Sequence, residues 1–416
     1  MRYCLLLLIL FSASAVFAQE NDFQFGVYER VRQEYRKSAI DLENSTGKNY
    51  DYFRFKTSLW GKYDFSQDLS LYARLTNENR AYVVPSTKYD VCEFVFENLY
   101  LDVKDAFDLP LDLRLGRQNL IYGEGFIMAE GTPLDGSRTI YFNAAKATLK
   151  LEDWDLDFLG MRQDPKERRL PVINENNRSL VSQKEEALGL YGKYKGSDDF
   201  CFEPYYFYKL EKSAPKTKLH TLGAHSVWNK NSWKIRTEAA YQFGDYGSSD
   251  RRGIGGYLFF DYKLKEDGCK PMLTFGGAYL SGDDPDTDTN ESWDPLFSHI
   301  PWLNELYSYM LTGEKEIGYW SNTQAYQLAL TVQPTEKLCI KPAICYFRAD
   351  ENTFGGSSGY SNSGKERGWS PQMFVTYKFN DNIQGHILAE YFDLGDYYAE
   401  TKDNPFLFRW QLEFKY

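Results

Sequence analysis

Residues 405–416 read PFLFRWQLEFKY. Every second residue from Phe406 is large and apolar: Phe406, Phe408, Trp410, Leu412, Phe414 and Tyr416. Between them stand Leu407, Arg409, Gln411, Glu413 and Lys415, all polar or charged but the first. A period of two marks a strand, because successive side chains leave opposite faces of the pleat. A soluble sandwich would pack the greasy face on a second sheet. A membrane barrel would turn it to lipid and enclose water with the charged face.

The same period recurs along the chain. Phe53, Phe55, Leu59, Tyr63 and Phe65 share one face, against Arg54, Lys56, Ser58 and Lys62. Trp233, Ile235, Ala239, Tyr241 and Phe243 oppose Lys234, Arg236, Glu238 and Gln242. Short turns are expected near 64–68, 104–110, 152–155, 196–199, 229–232, 265–268, 334–337 and 380–382. Longer loops are expected at 36–49, 82–91, 121–139, 163–184, 211–216, 244–252, 283–322, 350–368 and 395–404. This alternation predicts an all-β, up-and-down antiparallel transmembrane β-barrel of about 18 strands, with short periplasmic turns and long extracellular loops. A propeller would need a blade-length repeat, and a sandwich this long would split into domains. A Lys or Arg facing lipid at mid-membrane costs about 2–4 kcal/mol, and the charges mostly keep to the other face. Glu29, Glu97 and Arg117 break that rule.

Composition agrees with this reading without requiring it. Of 416 residues, 17% are aromatic, including 33 Tyr and 29 Phe, and no internal stretch is apolar enough to cross as a helix. Residues 1–18 have a charged start, a short apolar core and a small-residue site, which predicts a secretory signal peptide, with one barrel domain over 19–416. Delivery to the outer membrane of a Gram-negative cell follows. The expected partners are membrane lipid and lipopolysaccharide, and the barrel-assembly machinery acting on the aromatic-ended last strand. The net charge of −11 disfavours a nucleic-acid partner. The cysteines beyond the leader are Cys92, Cys201, Cys269, Cys339 and Cys345. They are scattered and form no CxxC, so neither a disulfide framework nor a metal site is indicated.

Residues 113–125, LRLGRQNLIYGEG, and 131–151, GTPLDGSRTIYFNAAKATLKL, resemble the alginate-export family of outer-membrane barrels. The resemblance rests on Arg114, Gly116, Arg117, Gln118, Tyr122, Gly123 and Glu124, then Arg138, Phe142, Asn143, Ala144 and Lys146. Asn143 stands where the family usually has Asp, and Lys146 where it often has Arg. The resemblance implies an eighteen-stranded porin with an electropositive pore that passes an anionic uronate polymer.

On that frame the inward basic residues are Arg30, Arg32, Arg54, Lys56, Arg74, Arg114, Lys146, Lys150, Lys193, Lys234, Arg236 and Arg409. Guanidinium forks grip carboxylates in pairs, so the expected solute is an anionic sugar or organic anion such as a uronate polymer or oligosaccharide. The acids Glu34, Glu78, Glu203, Glu238, Glu390 and Glu413 would blunt the field, which leaves a general diffusion porin as the alternative. Loop 281–310 begins acidic and turns aromatic, with Trp293, Phe297, Trp302 and Tyr307. Two readings stand: a constriction folded into the lumen, or a lid over the mouth. Its Asp284, Asp286, Asp288 and Asn290 lack the Gly and closing Glu of a calcium loop. No cofactor is indicated. His220, His225, His299 and His386 sit in no nucleophile or metal motif, so a channel is expected rather than an enzyme, with a barrel hydrolase the remote alternative.

Overall fold

The computed structural model describes residues 22–44, 49–129, 142–174, 184–213 and 215–416. The expected leader and Arg138 lie outside the described residues. Eighteen strands make the wall. The first nine are β1 Phe23–Lys37, β2 Tyr50–Asp64, β3 Leu69–Val84, β4 Lys88–Val103, β5 Leu111–Gln118, β6 Phe142–Lys150, β7 Trp154–Gln163, β8 Glu185–Tyr194 and β9 Phe200–Glu211. The rest are β10 Thr217–Lys230, β11 Trp233–Tyr246, β12 Ser249–Lys263, β13 Met272–Leu280, β14 Thr323–Thr335, β15 Leu338–Arg348, β16 Glu366–Lys378, β17 Ile383–Tyr391 and β18 Phe406–Lys415. Each pairs antiparallel with the next. β18 then pairs with β1 from Tyr28↔Lys415 to Lys37↔Phe406, which closes the barrel. A closed barrel satisfies every strand's backbone inside lipid, which an open sheet cannot.

The two faces of β18 divide as its sequence requires. Arg409 and Gln411 are buried on the lumen side, while Phe414 and Tyr416 are exposed on the outside. Elsewhere on the outer surface Leu188, Leu222, Ile254, Leu328 and Ile387 are exposed, a pattern that water would penalise and lipid rewards. Aromatic rings gather near the short-turn end, where Trp233 lies 4.5 Å from Tyr262, and near the loop end, where Tyr346 lies 4.7 Å from Trp369. Such belts suit the two membrane–water boundaries.

The three exceptions have separate causes. Glu29 does face outward, but its carboxylate accepts a hydrogen bond from Thr57 Oγ1 at 2.5 Å. Glu97 sits at a bulge: Leu75 pairs with Phe96 and Arg74 with Asn98, so the extra residue turns inward, where Lys56 and Arg74 meet it. Arg117 pairs with Leu99 and Asn143 on the outer face yet is buried. β5 ends at Gln118, which leaves the upper edge of β4 without a neighbour. Val172–Ile173 pairs there with Phe94 and Val95, and the same excursion lays Glu167 2.5 Å from Arg117. The guanidinium also donates to Asn143 Oδ1 (3.1 Å) and Phe96 O (3.0 Å).

Each expected turn falls at a junction between strands, several overlapping a strand end by one or two residues. Two expected loops do not survive: β3 and β4 are joined by 85–87 alone, and β11 and β12 by 247–248. Both hairpins run on as ordered strand where a loop was expected.

Candidate functional site: the lumen and its two infolded segments

Two segments enter the barrel and meet inside it. The first follows β5, residues 119–129; the second links β13 to β14, residues 281–322. They are joined backbone to backbone, with Phe297 N donating to Ile127 O (3.0 Å) and Ala129 N to Phe297 O (3.2 Å). Trp293 is fully buried against the wall at Gly255, where a Cβ would fall 2.5 Å from its indole. Phe126 stacks on the other side, 5.3 Å between centroids. A glycine at 255 is therefore the condition for Trp293 to lie on the strand.

The second segment carries one short helix, α1, Glu305–Met310. Asn304 caps it by accepting from Tyr307 N (2.7 Å), and the wall residue Glu390 accepts from Glu305 N (3.1 Å) and Leu306 N (2.6 Å). A carboxylate at the helix start answers both the unpaired N–H groups and the dipole. Tyr307 then stacks on Phe347 at 4.2 Å. Ion pairs fix the rest: Glu305 to Arg409, Glu314 to Arg367, and Asp294 to Lys209 (3.3 Å) and Arg251 (3.6 Å). Burial alone would raise the Asp294 carboxyl, but Lys209, Arg251 and Lys315 hold it well below the usual range. The loop thus packs on lumen-facing wall residues, among them Lys209, Arg251, Phe347 and Arg409. Trp293, Phe297 and Tyr307 are packing residues within it, and Trp302 alone of the four reaches the space below.

The basic residues expected in the lumen occupy four settings. Arg30, Arg32, Arg54 and Lys56 point inward from β1 and β2 but are buried, in a network with carboxylates of the same wall. Arg54 reaches both Glu34 (3.1 Å) and Glu78 (3.0 Å); Arg32 reaches Glu34 (3.0 Å); Lys56 lies 3.6 Å from Glu97. Arg74, Arg114 and Lys146 are half-buried lower on the wall. Arg114 is bidentate to Asp102 (2.6 and 2.9 Å), Arg74 is 3.5 Å from Glu97, and Lys146 is 3.6 Å from Asp157. Lys234 is exposed near the turn end. Arg236 and Arg409 lie nearest the infolded loop. Arg236 is bound to Asp261 (2.7 Å) and to Glu124 of the first segment (2.8 Å). In the family motif, Gly116 and Gly123 adopt positive φ (131° and 54°). Gln118 donates to Ala144 O (3.1 Å), and Tyr122 donates to Asp157 (3.0 Å) while stacking on Tyr191 at 4.0 Å. The motif thus turns the chain from wall to lumen and holds it there.

Space remains on both sides of the infolded segments. Below them a cavity of about 320 Å³ is lined by Arg236, Lys341, Arg409, Trp302, Glu305 and Glu390, among others. Above them one of about 220 Å³ is bordered by Arg251, Lys315, Glu314 and Tyr319. A wider vestibule of about 430 Å³ follows at the turn end, with Lys337, His386 and Glu413. Sequence reasoning missed Lys341, Arg251, Lys315 and Arg367. Lys341 was within reach, because Cys339, Lys341, Ala343 and Cys345 keep the same period of two.

Comparison with known proteins completes the site. No curated protein sequence matches the chain. Solved structures do. OccK5 (OpdH) of Pseudomonas aeruginosa is 14% identical, with a TM-score of 0.58 over 94% of this chain and 98% of that one. OprD of the same organism is 10% identical, at 0.60 over 95% and 94%. OccK2 (OpdF), solved in complex with glucuronate, is 10% identical, at 0.59 over 95% and 98%. At these identities the likeness is one of fold. The family model described as Alginate export matches residues 21–410. The chain belongs to the alginate export family and is an outer-membrane β-barrel of the porin type.

Proposed function

We propose that the barrel is a passive outer-membrane channel for small organic anions of the size of a single uronate. The observation that carries this is the placing of cations on both sides of the infolded segments. Arg251 and Lys315 stand above, Arg236, Lys341 and Arg409 below. Arg236 and Arg409 already hold carboxylates, whereas Lys341 forms no ion pair with a carboxylate among the described residues. In the lower cavity Lys341 is thus the charge left to meet an anion. Trp302, Gln327 and Gln372 border the same space and offer a ring face and amide donors to a sugar. Cavities of about 220 and 320 Å³ lie at or below the lower end of the roughly 300–1,000 Å³ usual for small-molecule sites. A polymer would need the second segment to leave the lumen; a monosaccharide acid would not. The glucuronate bound by OccK2 supports the class by analogy of fold. Lipopolysaccharide contact and delivery of the last strand by the assembly machinery belong to this reading, and no catalytic step does.

Planar-bilayer recording tests it. The expected result is a permeability ratio favouring chloride over potassium, current block by glucuronate, and loss of both preferences in Lys341→Gln. A cation preference, or an unselective pore indifferent to glucuronate, would overturn the anion channel in favour of general diffusion.

A further inference from the structure

The cysteines and histidines are scattered in sequence, yet the register of the sheet gathers one of each beside a glutamate. Cys201 and Glu203 are two apart on β9 and share its lumen face. Pairing with β10 sets His225 directly opposite Glu203. One donor atom from each of the three, a thiol sulfur, a carboxylate oxygen and an imidazole nitrogen, lies within 4.8 Å of the others. His225 Nδ1 is 3.0 Å from Glu203 Oε2, and Tyr191 donates to that same oxygen at 2.5 Å.

The histidine supplies a second observation. It is only 4% exposed, and its Nε2 has no hydrogen-bond partner. With the proton on Nδ1, toward Glu203, a bare lone pair is left buried at Nε2, which costs free energy. With the proton on Nε2, Nδ1 is free to bind a cation, and the register sets Glu238 opposite His225 on β11, short of a hydrogen bond to Nε2. A Cβ built at Gly123 would lie 3.0 Å from the His225 ring and 3.2 Å from Glu238 Oε2, so ring and carboxylate border the same glycine.

We infer that Cys201, Glu203 and His225 form a three-donor site for a borderline-soft divalent cation of the zinc class. Thiolate, imidazole and carboxylate together are a zinc donor set, and three protein ligands leave a fourth position open. Cys201 and Glu203 are only partly buried, so that position faces lumen water. On binding, the Cys201 thiol gives its proton to water and its sulfur donates a lone pair. The imidazole proton moves from Nδ1 to Nε2, Nδ1 and one Glu203 oxygen complete the set, and no electron is transferred. Tetrahedral ligation at about 2.0–2.3 Å asks for donors about 3.3–3.8 Å apart, a contraction that side-chain rotation on rigid strands can supply. The cation would also bind next to the first infolded segment, which Gly123 brings against His225.

The test uses the full barrel in detergent micelles, stripped with chelator and titrated with Co²⁺ and then Zn²⁺. Heat-modifiable gel mobility confirms that each variant is folded. One Co²⁺ per barrel should bind with a thiolate-to-cobalt charge-transfer band that Zn²⁺ displaces. Cys201→Ser should abolish the band, and the near-isosteric His225→Gln and Glu203→Gln should weaken binding at least tenfold. Cys269→Ser, at an exposed cysteine far along the chain, should change nothing. Absence of the band in the folded wild type, or its loss in Cys269→Ser but not Cys201→Ser, would overturn the site. Unchanged affinity in both His225→Gln and Glu203→Gln would do the same.

Discussion

Gly255→Ala tests how the second segment is held. The added methyl would sit 2.5–2.7 Å from three atoms of the Trp293 indole, where ordinary contact needs about 3.6 Å. Something must therefore move by about 1 Å. β12 is hydrogen-bonded to β11 and β13 along most of its length, so the wall is the stiffer partner and the indole must lift. Trp293 is sandwiched by Phe126 and fully buried, so it cannot tilt into open space. Overpacking of this kind costs about 1–3 kcal/mol. At a factor of ten per 1.4 kcal/mol, the ratio of docked to undocked segment should fall by roughly 5- to 150-fold. Single-channel recording reads this as more frequent or longer visits to a higher-conductance level, with unchanged heat-modifiable mobility. Gly160→Ala is the control: its Cβ would meet only Leu188 Cδ2 at 3.7 Å, so conductance and stability should match wild type. If Gly255→Ala gates like wild type, Trp293 does not anchor the segment and the account of the constriction fails.

Two further outcomes are expected. Arg409→Gln strips the partner from buried Glu305 beside buried Glu390, a loss of about 3–5 kcal/mol of docking; the double variant Arg409→Gln, Glu305→Gln should recover part of it in the same gating assay. His299 supplies a pH dependence. Burial first, and Lys209 second, lower its pKa from 6.5 to about 4. Between those values the undocked state binds a proton that the docked state refuses. Docking is therefore at full strength above about pH 6.5 and weakens as pH falls toward 4, by on the order of 3 kcal/mol in total. Glu316, 3.4 Å from Nδ1, makes that figure an upper bound. His299→Gln should flatten the change in open probability over this window. An equally steep response in the variant would show that another group controls it.

The facing of the wall strands was legible because lipid and water impose a strict period of two on every crossing. Arg409 and Gln411 against Phe414 and Tyr416 needed no knowledge of neighbours. What sequence could not supply is register. Whether Arg54 stands free or grips Glu34 and Glu78 depends on which residues lie opposite on β1 and β3. The bulge that turns Glu97 inward is likewise a property of two strands together. Arg117 is explained by Glu167, fifty residues away on an excursion that patches the wall. The first infolded segment passed for an ordinary extracellular loop. Its signal was present in Phe126, Ile127, Met128 and Ala129, an apolar run that water would not tolerate. The aromatic part of the second loop stood out in the sequence, but not whether it folds inward, nor which rings pack and which face the path, since that follows from Gly255 and Phe347 on distant strands.

Charge ties the constriction to selectivity. The infolded segment brings carboxylates, Asp294, Glu305 and Glu314, to cations on the wall, Lys209, Arg251, Arg409 and Arg367. While docked, the segment neutralises the residues best suited to attract an anion, which leaves few cations to act on a solute. Undocking would uncover paired guanidinium groups and strengthen the positive field at the moment the path widens. Arginine content alone therefore overstates the selectivity of the docked channel. A wall rich in Arg, read without its partners, describes the undocked state better than the docked one, and Gly255→Ala should accordingly raise anion preference together with conductance.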